Sequence, residues 1–483
     1  MAFLIGGANS AADTGYTIDN SCRFGGTNNE YMDKTIGTPS NTKKMTWSVW
    51  VKKEHLNDDG YLATVYTDGS NYGAIIGSTG SADAFQVFQY ISGSIQLNLI
   101  TTQAFRDPSA WSHFVVQMDT TQSTASDRCK IWHNGVRITS FATETYWAQN
   151  TVIKMNEASQ TLKINAITTS SQYHGYVADF VMCDGQTYQA SDFGEYDENS
   201  PTIWKPKDPT DLTFGTNGFW LDFEDSANLG NDANGGTDFS ETNFAAIDQT
   251  TDTPTNNFCT LNPLSNRTSS GTVTAATFSE GNCKADHGDA NTVTTVPGTM
   301  GVSSGKWYFE VKVDDAGGDA NIGVISASAD LNGQQGTTGH PSIYYGSNGK
   351  KCYNVIASND GASFGDTYTD DDIISVALDL DNNVIWFAKN GTWQDSGDPT
   401  SGATATGAAF SGTGTSDGFP TTSSFYLPVT VGYNSFIASA NFGNPPYANS
   451  SSVADANGYG AFEYAPPTGF LALCTKNLGS SGG

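Results

Sequence analysis

Positive charge is scarce in this chain: 22 Lys and Arg stand against 50 Asp and Glu over 483 residues, a formal net charge of −28. That balance repels nucleic acid and anionic membranes at long range, so neither is an expected partner. Cysteine is sparse as well. Cys22, Cys129, Cys183, Cys259, Cys283, Cys352 and Cys474 are scattered, odd in number and without a CxxC pair, which argues against a zinc cage or a complete disulfide framework and for seven free, mostly buried thiols. No apolar run approaches the roughly 20 residues of a membrane helix, and the short run at residues 2–5 lacks the basic flank of a signal peptide. Neither membrane insertion nor export by a signal peptide is expected. P-loop, HExxH and GxSxG spacings are missing. The six histidines, His55, His113, His133, His174, His287 and His340, stand singly, with no pair at metal-ligand spacing, and read as packing or surface residues.

What the chain does have is glycine, 52 of them, and aromatic side chains, with 26 Phe, 21 Tyr and 10 Trp. Together with a charged fraction of only 15%, this suits many short strands joined by turns. The length exceeds what one core serves, so two or three domains are expected. Alternation of apolar and polar residues supports strands at residues 47–51, 85–90, 95–99 and 115–118, divided by the turn clusters Asn57-Asp58-Asp59-Gly60, Asp68-Gly69-Ser70-Asn71 and Ser92-Gly93-Ser94. Residues 372–391, DIISVALDLDNNVIWFAKNG, read as strand, tight turn and strand, because Asp381, Asn382 and Asn383 tolerate the positive φ of a hairpin turn.

That hairpin, together with GKWYFEVKV at residues 305–313, Gly432-Tyr433 and Ala440-Asn441-Phe442-Gly443, resembles a SPRY domain, which implies a β-sandwich that binds and performs no chemistry. Three pieces of the first half resemble the concanavalin A-like, laminin G-like jelly roll. They are MTWSVWVKK at residues 45–53, Trp111-Ser112-His113-Phe114-Val115-Val116 followed by CKIWHNGVRI at residues 129–138, and HGYVADFVMCDGQTYQASDFGE at residues 174–195. Residues 214–264, containing TNGFWLDF and NFAAIDQTTDTPTNNFCTLNPL, resemble a segment of virion structural proteins of tailed bacteriophages, especially marine ones. The resemblance extends to FEYAPPTGF at residues 462–470 and Leu473-Cys474-Thr475.

The fold expected is therefore all-β: two antiparallel β-sandwiches, a concanavalin A-like jelly roll at residues 17–205 and a SPRY-like sandwich at residues 267–447. Residues 206–266 form an acidic bridge, free of Lys and Arg from residue 208 onward. Phe214, Phe219, Trp220, Leu221 and Phe223 could add a strand to the first sandwich, and Phe239, Phe244, Ile247, Phe258 and Leu261 could pin the remainder. Residues 1–16 read as an N-terminal arm, with Phe3, Leu4 and Ile5 as its anchoring residues, and residues 448–483 as a C-terminal tail.

The expected function follows from the resemblance: a non-enzymatic phage virion structural protein, a fibre, spike or decoration component on the outer surface of the particle, made in the bacterial host cytoplasm. Its implied partners are other virion proteins and further copies of itself, a trimer being favoured. The alternative is a carbohydrate-binding receptor protein at the tail tip, with a host-surface glycan as partner. For that role Trp147, Tyr344, Tyr345 and Trp393 are the candidate ligand-binding residues, since they lie beside turns where a ring could stack on a sugar; core packing or a subunit contact is the competing explanation for each. No cofactor is expected apart from calcium, for which Asp58, Asp59 and Asp68 offer loop carboxylates, though turn chemistry accounts for them equally. A third reading is a glycan depolymerase. Asp222 and Glu224 would share a strand face at the roughly 5 Å separation of a retaining glycosidase pair, but Trp220 stands where the glucanase pattern has its first Glu.

Overall fold

The computed structural model describes residues 4–5, 15–25, 29–268, 276–288, 293–329, 342–353, 361–413, 419 and 425–481. The chain divides into two compact units, Ala11–Thr255 and Met1–Ser10 with Asn256–Gly483. Both are β-sandwiches, as the composition and alternation imply.

In the first unit, one eight-stranded sheet runs in the order Val136–Ile138, Cys129–His133, Ser112–Asp119, Lys44–Lys53, Gly175–Asp184, Ser21–Phe24, Gln249–Thr250, with Phe219–Leu221 also paired to Gly175–Asp184. The facing sheet runs Phe141–Thr145, Ser94–Ala104, Ala84–Ile91, Asn71–Thr79, Gly60–Asp68, Thr161–Ile164, Tyr31–Thr35, Ser240–Thr242. Along Ser94–Ala104 the burial alternates so that Leu97, Leu99 and Thr101 point inward, as a pleat with one wet face requires. Lys44–Lys53 is buried almost throughout. Its two faces serve two clusters: Trp47, Val49 and Val51 enter the core between the sheets, and Trp50 packs with Ile18, Trp111 and Tyr176 on the outer side. Phe85 of one sheet stacks on Phe114 of the other with ring centroids 4.2 Å apart.

Gly175–Asp184 organises this unit. One edge pairs with Lys44–Lys53. The other edge is shared, first by Ser21–Phe24 against Gly175–Val177 and then by Phe219–Leu221 against Phe180–Met182. At the changeover the register shifts between Ala178 and Val181, and Asp179 takes φ 41°, a β-bulge that switches the strand from one partner to the next.

The acidic tract packs on the first sandwich, as its apolar residues suggest. Phe219–Leu221, Ser240–Thr242 and Gln249–Thr250 each extend a sheet of the first sandwich, and the division falls between Thr255 and Asn256 rather than at residues 205 and 266.

The second unit pairs a seven-stranded sheet, ordered Arg267–Thr268, Val293–Pro297, Tyr426–Tyr433, Asp319–Ser326, Ser342–Gly346, Lys350–Tyr353, Ala362–Ser363, with a nine-stranded one. The latter is built on Lys284–Asp286, Ile437–Asn441, Lys306–Asp315, Ile373–Asp379 and Val384–Lys389. The hairpin read from sequence is present: Ile373–Asp379 pairs with Val384–Lys389, and Asn383 and Asn390 take φ 54° and 48°. Residues 448–483 are not an appended tail. Leu471–Ala472 adds in parallel to Lys306–Asp315, Thr475–Ser481 is helical, and Phe462, Phe470, Leu473 and Cys474 are buried. The Leu4–Ile5 backbone pairs in parallel with Met300–Gly301, so these two residues engage their own chain; Phe3 lies outside the described residues. All seven cysteines are buried, and no disulfide joins them among the described residues.

Candidate functional site

The end of the first sandwich where Lys44–Lys53 passes into Gly60–Asp68 gathers chemistry that the sheets themselves do not carry. Its hub is Asp83, a buried residue in the left-handed region at φ 48°. Oδ1 accepts from Lys53 Nζ at 2.6 Å and from the Asn57 backbone N–H at 2.8 Å, and Oδ2 accepts from Arg106 Nε at 2.8 Å. Lys53 also donates to Ser78 Oγ at 2.7 Å. Burial would raise the Asp83 carboxyl, but the hydrogen bonds from Lys53, Asn57 and Arg106 outweigh it and hold the group below the usual carboxylate range. The hub pins the loop after Lys53, since Asn57, at φ 61°, is tied through its amide. Asp59 ties the loop again by accepting the Gly80 N–H at 2.7 Å.

Beside this hub opens a cleft of about 240 Å³ lined by Lys53, Arg106, Asp107, Trp111, His133, Asn134 and Tyr173, among others. Arg106 is half exposed, so its guanidinium can meet a ligand while Nε stays on Asp83. Asn134 and Gly135 form the turn expected from the sequence, with φ 46° and 80°, and Asn134 Oδ1 accepts the His113 N–H at 2.7 Å. His133 lies edge-on to Phe105 at 4.8 Å, with Nε2 3.1 Å from Ser112 Oγ. Burial pushes its pKa down to about 4, so the ring is neutral at pH 7. Its neighbour His113 is buried between Trp204, whose Nε1 donates to Nδ1 at 3.0 Å, and Ser48 Oγ, 2.8 Å from Nε2; this is a packing histidine with both nitrogens occupied.

On the same rim, Glu54, His55 and His174 come together. The two imidazoles stack with centroids 4.5 Å apart. His55 Nε2 lies 2.9 Å from Glu54 Oε1, and Asp58 Oδ2 lies 3.8 Å from both His55 Nδ1 and His174 Nε2. One ligand atom from each of Glu54, His55 and His174 falls within 4.8 Å of the others. The histidines are thus not all single. The sequence hides the pair because it is made by strand register: Lys53 pairs with Gly175, and the Glu54 amide then donates to the His174 carbonyl at 3.0 Å.

The aromatic residues expected at a sugar site are elsewhere. Trp147 is buried in the first core, and its indole N–H finds no partner among the described residues. Tyr344 and Tyr345 are adjacent on Ser342–Gly346, so the pleat sends them to opposite faces, and both are buried. The Tyr345 hydroxyl donates to the Asp366 carbonyl. Trp393 is half-buried in a short edge strand against Ala388. Trp147, Tyr344 and Tyr345 therefore cannot offer a ring face to a ligand. Proximity to turns misled because short strands bring every inward ring close to a turn.

The calcium set is corrected too. Asp58 and Asp59 precede Gly60–Asp68 and Asp68 ends it, so nine residues at about 3.3 Å each hold them roughly 30 Å apart along the strand. Asp68 instead closes its own turn, accepting Ser70 N–H at 2.7 Å and the Asn71 side chain at 3.0 Å. Asp222 and Glu224 do not alternate on a strand: Phe219–Leu221 ends before them, Phe223 sits at φ 58°, and Asp222 Oδ1 accepts the Glu224 N–H at 3.2 Å.

Comparison with known proteins bears on the second unit, where the SPRY domain family matches residues 306–421. A stretch of 95 residues is 37% identical to the ATP-dependent RNA helicase DDX1 of Xenopus laevis, covering 19% of this chain and 12% of the helicase. Ran-binding protein 10 of Danio rerio is 31% identical over 111 residues, 22% of this chain and 17% of that protein. Human Ran-binding protein 9 is 31% identical over 98 residues, 20% of this chain and 12% of that protein. The chain thus spans less than a fifth of the length of these relatives. Among solved structures, the SPRY domain of human HERC1 aligns at 16% identity with a TM-score of 0.27, covering 37% of this chain and 96% of that domain. A putative carbohydrate binding protein from Bacteroides ovatus aligns at 16% identity with a TM-score of 0.32, covering 47% and 59%. The expected location on a virion surface, with synthesis in a bacterial host, is overturned: these curated relatives are vertebrate Ran-binding proteins and a helicase, not particle proteins. A SPRY-like β-sandwich fits a binding or adhesion role.

Proposed function

We propose that this chain is a non-enzymatic binding and adhesion protein, in which the SPRY-like sandwich makes a protein contact and the rim cleft of the first sandwich receives a small polar ligand. The observation that carries the reading is the cleft itself. A fixed ion-pair hub holds Arg106 at its mouth, with Asp107 and Asn134 offering hydrogen-bonding groups beside the half-buried rings of Phe105 and His133. Planar rings beside convergent polar groups are what a sugar requires. At about 240 Å³ the cleft lies below the roughly 300–1,000 Å³ of drug-sized pockets, so a terminal sugar unit suits it better than a polymer run. Absence of turnover is part of the proposal, and the separation of Asp222 and Glu224 by a left-handed turn supports it.

The resemblance of residues 214–264 to structural proteins supports an architectural setting for this binding. Self-association, with a trimer as the expectation, would let a weak rim site act through avidity. The test is a glycan array probed with the full chain and with Arg106→Ala and Asp107→Ala, both changes at exposed positions of the cleft. Binding lost in both variants supports the rim cleft. A silent array, or binding indifferent to both changes, removes the carbohydrate reading, and a measurable hydrolytic rate on a bound glycan removes the non-enzymatic one.

A further inference from the structure

We propose that Glu54, His55 and His174 form a binding site for one divalent transition-metal ion of the zinc class. The ligands are Glu54 Oε1, His55 Nε2 and His174 Nδ1, with the Asp58 carboxylate 3.8 Å from the other nitrogen of each ring.

The donor set selects the ion. Two imidazoles and one carboxylate suit zinc, cobalt or nickel, whereas calcium takes six to eight oxygens. The cluster therefore differs in chemistry, and not only in membership, from the all-carboxylate calcium set that the loop sequence suggests. Geometry makes the assignment specific. One ligand atom from each of the three residues lies within 4.8 Å of the others; an ion about 2.0–2.1 Å from each nitrogen needs them about 3.3 Å apart. The contraction is roughly 1.5 Å for the widest pair, within the reach of a ring rotation of His55, whose side chain is 36% exposed.

An independent sign comes from His174. Its Nδ1 is buried and has no hydrogen-bond partner among the described residues, an arrangement that costs free energy unless something else meets the lone pair. A metal would. Nε2 of the same ring lies 3.8 Å from Asp58 Oδ2, and Asp58 is equally far from His55 Nδ1. One carboxylate thus stands opposite the remaining nitrogens of both rings, the outer support that orients metal-bound histidines.

The framework is rigid where it needs to be. Glu54 and His174 are tied through the backbone at 3.0 Å. Between them and the strand stands Gly175 at φ 137°, where a Cβ would meet the Lys52 carbonyl at 2.1 Å. The loop carrying His55 and Asp58 is held through Asn57 on Asp83. Three protein ligands would leave a fourth position for an exchangeable group, as in zinc sites of that ligand number.

The experiment uses the full chain, untagged and stripped with EDTA, titrated with Zn²⁺ by calorimetry and with Co²⁺ by visible absorption. One ion per chain and a cobalt spectrum of low-coordinate N/O ligation are expected. His55→Ala, a change at a partly exposed position, should weaken binding at least tenfold while leaving the far-ultraviolet circular dichroism unchanged. Asp68→Ala should bind as the native chain does. The proposal is overturned if Zn²⁺ does not bind stoichiometrically, if His55→Ala and His174→Gln both bind undiminished, or if Ca²⁺ binds more tightly than Zn²⁺.

Discussion

Lys52 Nζ and Asp252 Oδ2 lie 2.7 Å apart with side chains 1% and 0% exposed, although 200 residues separate them in sequence. Trp111 Nε1 donates to the other oxygen of the same carboxylate at 3.0 Å, and Ser21 Oγ donates to the Asp252 carbonyl at 2.6 Å. The last residues of the acidic tract thus lock the first sandwich. Removing the carboxylate with Asp252→Ala leaves a buried ammonium without this partner and should cost about 3–5 kcal/mol, read as a lower urea midpoint at unchanged slope. A loss below about 1 kcal/mol would show that the pair is not buried in solution.

The same relationship predicts where the chain can be cut. A fragment of residues 11–255 should unfold cooperatively, because it retains Phe219–Leu221, Ser240–Thr242 and Gln249–Thr250 with their partners. A fragment of residues 17–205 loses these strands and uncovers Phe180 and Met182, and should fail to give dispersed amide resonances.

Stability of the first unit should fall with rising pH because of Asp179. Burial pushes its carboxyl up to about 7, against hydrogen bonds from Trp220 Nε1 at 2.8 Å and Tyr16 Oη at 3.2 Å. The unfolded chain titrates near 3.9, so the folded state holds the proton longer. The contribution is then full below about pH 4 and is lost as pH rises through about 7. Asp179→Asn keeps the acceptor oxygen and should be more stable than the native chain at pH 8, by up to about 4 kcal/mol, with a flatter pH profile between 4 and 7. A variant less stable at pH 8 would contradict this.

Trp147 and Arg106 should separate structure from binding. Trp147→Ala opens a hole in the first core and should cost about 3–5 kcal/mol without changing ligand specificity at temperatures where the variant is folded. Arg106→Ala, at a half-exposed position of the cleft, should weaken ligand binding. The reverse pattern would return the ligand site to the ring first expected from sequence.

In the second unit, Glu310 fastens the C-terminal residues. Oε1 accepts the Tyr464 N–H at 2.8 Å and the Tyr308 hydroxyl at 2.9 Å, and Oε2 accepts the Glu463 N–H at 3.0 Å and Asn441 Nδ2 at 3.1 Å. Glu310→Ala strands these donors at about 1–3 kcal/mol for each one left unsatisfied. Hydrogen exchange at the Glu463 and Tyr464 amides should accelerate by at least tenfold; unchanged protection would assign their anchoring to Phe462 and Phe470 alone.

Much of the architecture was legible in one dimension, because a strand with one wet face must alternate and a hairpin must turn on residues that accept positive φ. Leu97, Leu99 and Thr101 face inward as their spacing implies, and Asn383 and Asn134 turn where their side chains allow it. The negative balance and the scatter of the cysteines are read from the sequence alone. Pairing over long distance was not legible. Which edge Phe219–Leu221 would join, that Asp252 would seek Lys52, and that residues 448–483 would pack into a sandwich depend on register between strands far apart in the chain, and local alternation carries no register. The rim makes the same point at the scale of a site. Each histidine of the His55 and His174 pair is isolated in sequence and acquires a neighbour only when Lys53 pairs with Gly175. Burial also belongs to the fold, since a ring beside a turn can point either way and only the facing sheet decides that Trp147 and Tyr345 are core.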